Sequence, residues 1–326
     1  MQGTSEILAY GTPMKLNKKM TKKNWRQRQL IYDVVILTDH RYINPKKIDW
    51  YIDQVLLEDR LVKTALKNKG LKVIKKDWAD PDFDWTTTKY AIFRTTWDYF
   101  ERFEEFFSWL EKTKHKTTFI NSAEIINWNI DKHYLKDLER NGINIAPTLF
   151  IKKNEKITLK QLFKKTNWME SVIKPAISGA ARHTYRINKH NYSNYENIFK
   201  KLIKKECMLF QEFLHNIISN GEISLIMIGG KYTHAVKKFA KKGDFRVQDD
   251  HGGTVEKYEA TYDEIKFAER CIEKFPFSPI YARVDIVYDN NNQSSLSELE
   301  LIEPELWFRN NAKAAEKLSK EIYKLF

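Results

Sequence analysis

The sequence predicts a mixed α/β and α+β protein, and three observations lead there. Between residues 31 and 114, short apolar runs alternate with amphipathic stretches of helical period, which is the pattern of a parallel sheet. From Met208 onward, strand-like runs dominate. The 326-residue length accommodates two or three packed units, and a hydrophobic content of 42% can supply their cores.

The elements follow in order. Ile31–Thr38 reads as a buried strand. Asp49–Lys69 repeats Ile52, Val55, Leu56, Leu61, Val62 and Leu66 at helical spacing, and Gly70 ends it as a C-terminal glycine does. Leu71–Ile74 and Tyr90–Arg94 are further strands, and Phe100–Lys114 is an amphipathic helix. This first unit spans 31–120. Asn121–Gly142 holds a short segment and a helix closed by Asn141-Gly142. Strand pieces follow at Thr148–Ile151, Ser171–Lys174 and Tyr185–Ile187, with helices at Leu159–Thr166 and Asn191–Lys205, giving a second unit over 121–207. The third unit, 208–326, has strands at Met208–Phe213, Glu222–Ile228, Lys231–Lys238, Ala282–Tyr288 and Leu296–Leu301, with helices at Asp263–Lys274 and Ala312–Leu325.

The formal charge is +13, but residues 1–30 hold seven basic residues against Glu6 alone, which leaves +7 for the rest. The first 30 residues are expected to form a flexible basic tail. Because the excess is concentrated there, nucleic acid is not an expected partner. No run approaches the roughly 18 apolar residues of a membrane helix, and no signal-peptide pattern is visible. Cys207 and Cys271 lack metal-site spacing and suit a reducing cytoplasm.

Chemistry concentrates in the late strands. Alternation puts Arg283 and Asp285 on one face of their strand, and Glu298 and Glu300 on one face of the next. Asp289-Asn290-Asn291-Asn292 is turn chemistry, so the strands are expected to form a hairpin that gathers three carboxylates and an arginine. Such acids repel unless a cation compensates them, and oxygen-only ligands suit magnesium. A solvated strand face is the alternative. Earlier, Lys174-Pro175 ends a strand and runs into Ser178, Gly179, Ala180 and Ala181, small residues that can cradle phosphates; a plain turn would read alike. Lys132 stands at a helix start, where anions collect. Gln211-Glu212-Phe213-Leu214 and Gly221-Glu222 offer glutamates for a sugar or base, or merely a solvated loop. Arg94, Thr95 and Asp98 lie at the carboxyl end of a parallel strand, where ligands bind, so they are candidate substrate contacts; Trp97 and Tyr99 beside them can equally be packing between units.

This ordered set resembles the ATP-grasp ligases: D-alanine–D-alanine ligase, glutathione synthetase and the ribosomal-protein glutamate ligases. The text Trp78-x-Asp80-Pro81, Arg94-Thr95-Thr96-Trp97-Asp98-Tyr99, Trp128-Asn129-x-Asp131-Lys132-x-Tyr134-Leu135, Val236-x-Lys238 and Gly252-Gly253 is similar to the group that holds the cyclo-ligase of cycloserine biosynthesis. The resemblance implies a pre-ATP-grasp domain over 31–120 and a two-subdomain ATP-grasp fold over 121–207 and 208–326. It implies that Lys132 and Lys174 bind phosphates with Ser178 and Gly179, and that Gln211, Glu212, Phe213 and Leu214 form the adenine hinge. Glu222 would then bind ribose, and Asp285, Glu298 and Glu300 would bind two Mg2+ ions, for which Mn2+ can substitute. Glu300 stands where the family often has Asn, so Glu303 also competes for a metal role. Arg283, Lys238 and Arg246 would face the transferred phosphoryl group or the substrate carboxylate. The implied activity is ATP-dependent ligation of a carboxylate to an amine on an amino-acid-like or small peptide-like substrate, between or within molecules. A small-molecule kinase and a non-catalytic nucleotide-binding protein are the competing expectations, and a homodimer is compatible with all of them.

Overall fold

The computed structural model describes residues 29–179, 181–247, 252–274 and 277–326. The basic segment 1–28, Ala180 and His251 lie outside these residues.

The first unit is a parallel sheet, as its strand–helix alternation predicts. Strands β1 (Tyr32–Thr38), β2 (Val73–Asp77), β3 (Thr88–Thr95) and β4 (Thr118–Ile120) run parallel in the order β2-β1-β3-β4. Helix α1 (Trp50–Lys67) begins where Asp49 accepts the Ile52 amide, and α2 (Phe103–Thr113) follows β3. On one face, Val35, Leu37 and Phe93 pack with Trp78, Phe106 and Phe119. On the other, Val34, Ile36 and Ile92 share a cluster with Ile226, Tyr281 and Leu318 from the far end of the chain. The first unit therefore has no core of its own on that side.

Two antiparallel sheets follow. One is ordered β5-β8-β6-β7, from β5 (Thr148–Ile151), β6 (Glu170–Pro175), β7 (Tyr185–Asn188) and β8 (Met208–Glu212). Helices α5 (Leu159–Thr166) and α6 (Tyr192–Ile203) cover it around Phe163, Phe199 and Phe210. The Met208 strand, expected to open the third unit, instead belongs to this sheet between β5 and β6. Apolar alternation marks a strand but does not name its partner.

The second antiparallel sheet is ordered β11-β10-β9-β12-β13, from β9 (Glu222–Ile228), β10 (Lys231–Phe239), β11 (Thr254–Tyr258), β12 (Tyr281–Tyr288) and β13 (Ser294–Glu300). Its inner face packs on α3 (Ala123–Asn129), α4 (Tyr134–Arg140) and α8 (Tyr262–Glu273) through Leu135, Leu138, Phe267, Val284 and Leu299. The short α7 (Asn216–Asn220) joins the two sheets, and α9 (Ala312–Tyr323) lies between the large sheet and α1.

Candidate active site

The expected hairpin forms. Asp289 accepts the amides of Asn291 and Gln293 at 2.8 and 2.9 Å, closing the β12–β13 turn, and Asn292 takes the left-handed conformation at φ 61°. Arg283 stands opposite Glu300 and Asp285 opposite Glu298. Between Asp285 and Ile286 the register slips, so Ser297 is an extra residue on β13. The bulge lets Leu296 and Leu299 both reach the core while Ser297 and Glu298 line the cleft.

The cleft lies between the two antiparallel sheets and encloses about 210 Å³. Apart from Glu303, the alternative metal ligand, every residue expected to bind nucleotide, magnesium or the transferred phosphoryl group lines it, from Lys132 and Lys174 to Glu212, Glu222, Arg246 and Asp285. At its base the strand ladder stops. Pro147 accepts the Glu212 amide at 2.9 Å but, lacking an N–H, returns no hydrogen bond to the Glu212 carbonyl. Phe213 and Leu214 follow at this edge, and Phe213 donates its amide to Glu170.

Charges in the cleft are paired with one another. Lys132 donates to the Ser178 carbonyl at 2.7 Å and to Glu298 at 2.9 Å. Arg283 grips Asp285 through two nitrogens at 2.8–3.1 Å and also pairs with Glu300. Lys238 pairs with Glu222 and reaches Asp285 at 3.5 Å. Ser224, one strand over, donates to Asp285 at 2.5 Å, and Ser297 donates to Glu222 at 2.9 Å. Lys174 and Glu212 are the exceptions: among the described residues neither has an ion-pair partner, and burial lowers the Lys174 pKa.

These pairings set the titration of the acids. Burial pushes Asp285 up, but Arg283 and Lys238 outweigh it and hold the carboxyl below its usual range. Glu298 is likewise held low, with Lys132 and Lys174 outweighing burial. Glu300 goes the other way, to about 8, because burial dominates and Glu298 and Asp285 repel its charge.

The metal expectation needs one correction of geometry. Among the described residues no three acids converge on a point: Glu298 pairs with Lys132, while Asp285 and Glu300 share Arg283. The donor set nevertheless fits magnesium: it is oxygen only, on adjacent strands, with Asp285 directly opposite Glu298.

A second cavity of about 180 Å³ adjoins the cleft. Lys132, Lys238, Arg283, Glu298 and Glu300 line both, forming a shared charged wall. Beyond that wall the second cavity is bounded by Trp97, Tyr99, Phe100, Glu303, Glu305 and Trp307, with Tyr51 from α1.

The expected substrate contacts are corrected here. Arg94, Thr95 and Asp98 line neither cavity. Arg94 is 1% exposed, donates to the Pro304 carbonyl at 3.1 Å and lies over the Phe308 ring. The Thr95 hydroxyl bonds Thr38 at 2.5 Å. Asp98 accepts Trp78 Nε1 at 2.7 Å and Arg102 at 2.8 Å. Buried polar groups seek partners; Thr95 and Asp98 find theirs inside the protein, whereas the Arg94 Nε has no hydrogen-bond partner among the described residues. The aromatic neighbours Trp97 and Tyr99, read as packing alternatives, are the ones that face the cavity. Gly179 has a further role besides permitting close approach of phosphate: a Cβ there would lie 2.7 Å from the Phe100 ring. Arg246 lines the cleft while its guanidinium grips Asp244 at 2.7–3.2 Å. Ser224, Ser297, Glu305 and Trp307 carried no sequence signal; only the register of β9 and β13 and the fold of residues 302–309 bring them to the site.

Comparisons with known proteins agree with this architecture. The family model for the D-cycloserine synthetase DcsG N-terminal domain matches residues 34–121, and the model for the prokaryotic glutathione synthetase ATP-grasp domain matches 138–291. The cycloserine biosynthesis protein DcsG of Streptomyces lavendulae is 24% identical over 256 residues, covering 74% of this chain and 85% of its own length. The crystal structure of D-cycloserine synthetase DcsG superposes with a TM-score of 0.79 at 21% identity, over 90% of this chain and 99% of that one. D-alanine–D-alanine ligase from Bacillus anthracis, complexed with ATP, superposes at 0.60 with 13% identity, over 90% and 96%. With one model on the parallel-sheet unit, another on residues 138–291 and a shared fold throughout, the chain has the ATP-grasp fold and is similar to the ATP-grasp ligases.

Proposed function

We propose that this protein is an ATP- and Mg2+-dependent carboxylate–amine ligase that works through an acyl phosphate on an amino-acid-like or small peptide-like substrate, joining two molecules or closing a ring. The observation that carries this is the charged wall shared by two adjoining cavities. A nucleotide in the cleft would present its terminal phosphoryl group to that wall, and a substrate carboxylate in the second cavity would meet it from the other side.

The geometry supports the following roles. Lys174, unpaired and at the cleft, is the cation with most to gain from a phosphate, and Lys132 can leave Glu298 for one. The open Glu212 carbonyl and the hinge at Phe213 and Leu214 suit adenine, and Glu222 suits the ribose hydroxyls. Asp285, Glu298 and Glu300 would hold magnesium, which neutralises phosphate charge during transfer. Arg283 and Lys238, at the wall, stabilise charge on the phosphoryl group as it passes to the carboxylate oxygen and ADP leaves. The amine then forms the C–N bond while phosphate departs. Cys207 and Cys271 are both free thiols, which suits a reducing cytoplasm.

The test is an ADP-release screen of amino acids and dipeptides, singly and in pairs, with magnesium. Release that requires both a carboxylate and an amine supports the ligase. Release with a hydroxyl compound alone supports a kinase instead, and background release across the panel would remove the catalytic reading.

A further inference from the structure

The second cavity carries one carboxylate that phosphoryl transfer does not use. Glu303 lines this cavity and not the nucleotide cleft. The other acids around it are engaged: Glu298 with Lys132, Glu300 with Arg283, and Glu305 with Arg309 at 2.6 Å. Glu303 has no ion-pair partner among the described residues; its carboxyl interacts with the Tyr99 hydroxyl. Beyond the charged wall, Trp97, Phe100 and Trp307 add aromatic rings to the lining, and Arg283 and Lys238 already lie over the Trp307 ring.

The segment that presents Glu303 is held from the first unit and from β12. Trp97 Nε1 donates to the Glu303 carbonyl at 3.0 Å, Arg94 to Pro304 at 3.1 Å, and the Tyr281 hydroxyl to Ile302 at 2.6 Å. Glu58 on α1 accepts the Phe308 and Arg309 amides at 2.8 and 3.0 Å. A carboxylate without a cation, fixed on its backbone and walled by rings, is a receptor for an ammonium ion, through charge-assisted hydrogen bonding and attraction to the ring faces. Burial raises its carboxyl to about 7, against the pull of Lys132 across the cavity, and a bound cation would relieve that cost.

We propose that Glu303, which lines this cavity together with Trp97 and Phe100, binds the ammonium group of the substrate and so selects amino acids over their 2-hydroxy counterparts. The proposal rests on the ligase reading for the identity of the cavity.

The experiment measures thermal stabilisation of the full chain with Mg2+ and a non-hydrolysable ATP analogue. The probes are the standard amino acids in both configurations and their matching 2-hydroxy acids. At least one amino acid should stabilise the wild type in a concentration-dependent way while its 2-hydroxy acid does not. Glu303→Gln should weaken that binding by on the order of tenfold or more while keeping the nucleotide response. If the Gln variant does not fold, Glu303→Asp, which shortens the reach, should still bind the amino acid more weakly than wild type. Unchanged affinity in the folded variant, equal binding of the hydroxy acid, or no response to any amino acid would overturn the proposal. Failure of the ligase reading looks different: Glu303-dependent binding without ADP release.

Discussion

Lys174 holds a charge that the folded chain leaves uncompensated, while Asp285 is compensated three times over, by Arg283, Lys238 and Ser224. The two should therefore separate stability from activity. Lys174→Met removes a desolvated ammonium and should keep or raise Tm while weakening Mg-ATP binding about tenfold or more. Asp285→Asn should abolish turnover and also lower stability by about 3 kcal/mol, because two buried cations each lose one of their two carboxylate partners. Denaturant melts and ATP titrations of both variants check this; a destabilised Lys174→Met would refute the first half. Glu300 supplies a pH signature. Its carboxyl titrates at about 8 when folded, against 4.5 for the ordinary side chain. The folded protein keeps a proton that the unfolded chain loses. Its stabilising contribution is thus complete below about 4.5 and lost as pH rises through 8. The Tm of nucleotide-free wild type should fall across this window relative to Glu300→Gln, and parallel curves would contradict it. At this scale the acids and lysines of the cleft were legible by type and order. Arg94, Thr95 and Asp98 were misjudged because position at a strand end does not reveal which way a side chain finds its partner.

Among the elements, α8 shows how one residue can serve two levels. Thr261 and Glu264 form a reciprocal capping box at its start. Glu264 is fully buried and also accepts the Tyr288 hydroxyl at 2.7 Å and the Tyr258 hydroxyl at 3.2 Å. Thr261→Ala should cost about 1 kcal/mol, the usual worth of an N-cap. Glu264→Ala should cost at least about 2 kcal/mol, since two tyrosine hydroxyls on β11 and β12 lose their acceptor as well. Equal losses in chemical denaturation would show that the tie to the sheet contributes nothing. The helix itself was readable from periodicity, and so was the β12–β13 hairpin from its Asn-rich turn. The bulge at Ser297 was not, because an extra residue in a strand leaves the apolar count nearly unchanged while shifting every contact after it.

Across the whole molecule, stability is divided unevenly. The first unit and the five-stranded sheet share one apolar cluster, sealed by Asn121, which donates to the Tyr281 and Leu301 carbonyls at 2.9 and 2.8 Å. The β5–β8 sheet has its own core of Phe163, Phe199, Phe210 and their neighbours. Amides of that sheet should exchange with solvent through an opening of lower free energy than those of β1, β9 and β12, and a bound nucleotide, bridging both sides of the cleft, should narrow the gap. Uniform protection in native-state hydrogen exchange would count against this division. The sequence by itself determined the strands and helices, the parallel first sheet and the charged residue types that line the cleft, because periodicity, turn residues and charge type are local properties. Tertiary structure alone decided that β8 belongs to the middle sheet and that the acids of the cleft pair with Lys132, Lys238 and Arg283. It alone made residues 302–309 a cavity wall with Glu303 on it. Those outcomes depend on which surfaces meet, and the energy of burying a charge or completing a ladder is set only when its neighbours from distant parts of the chain are in place.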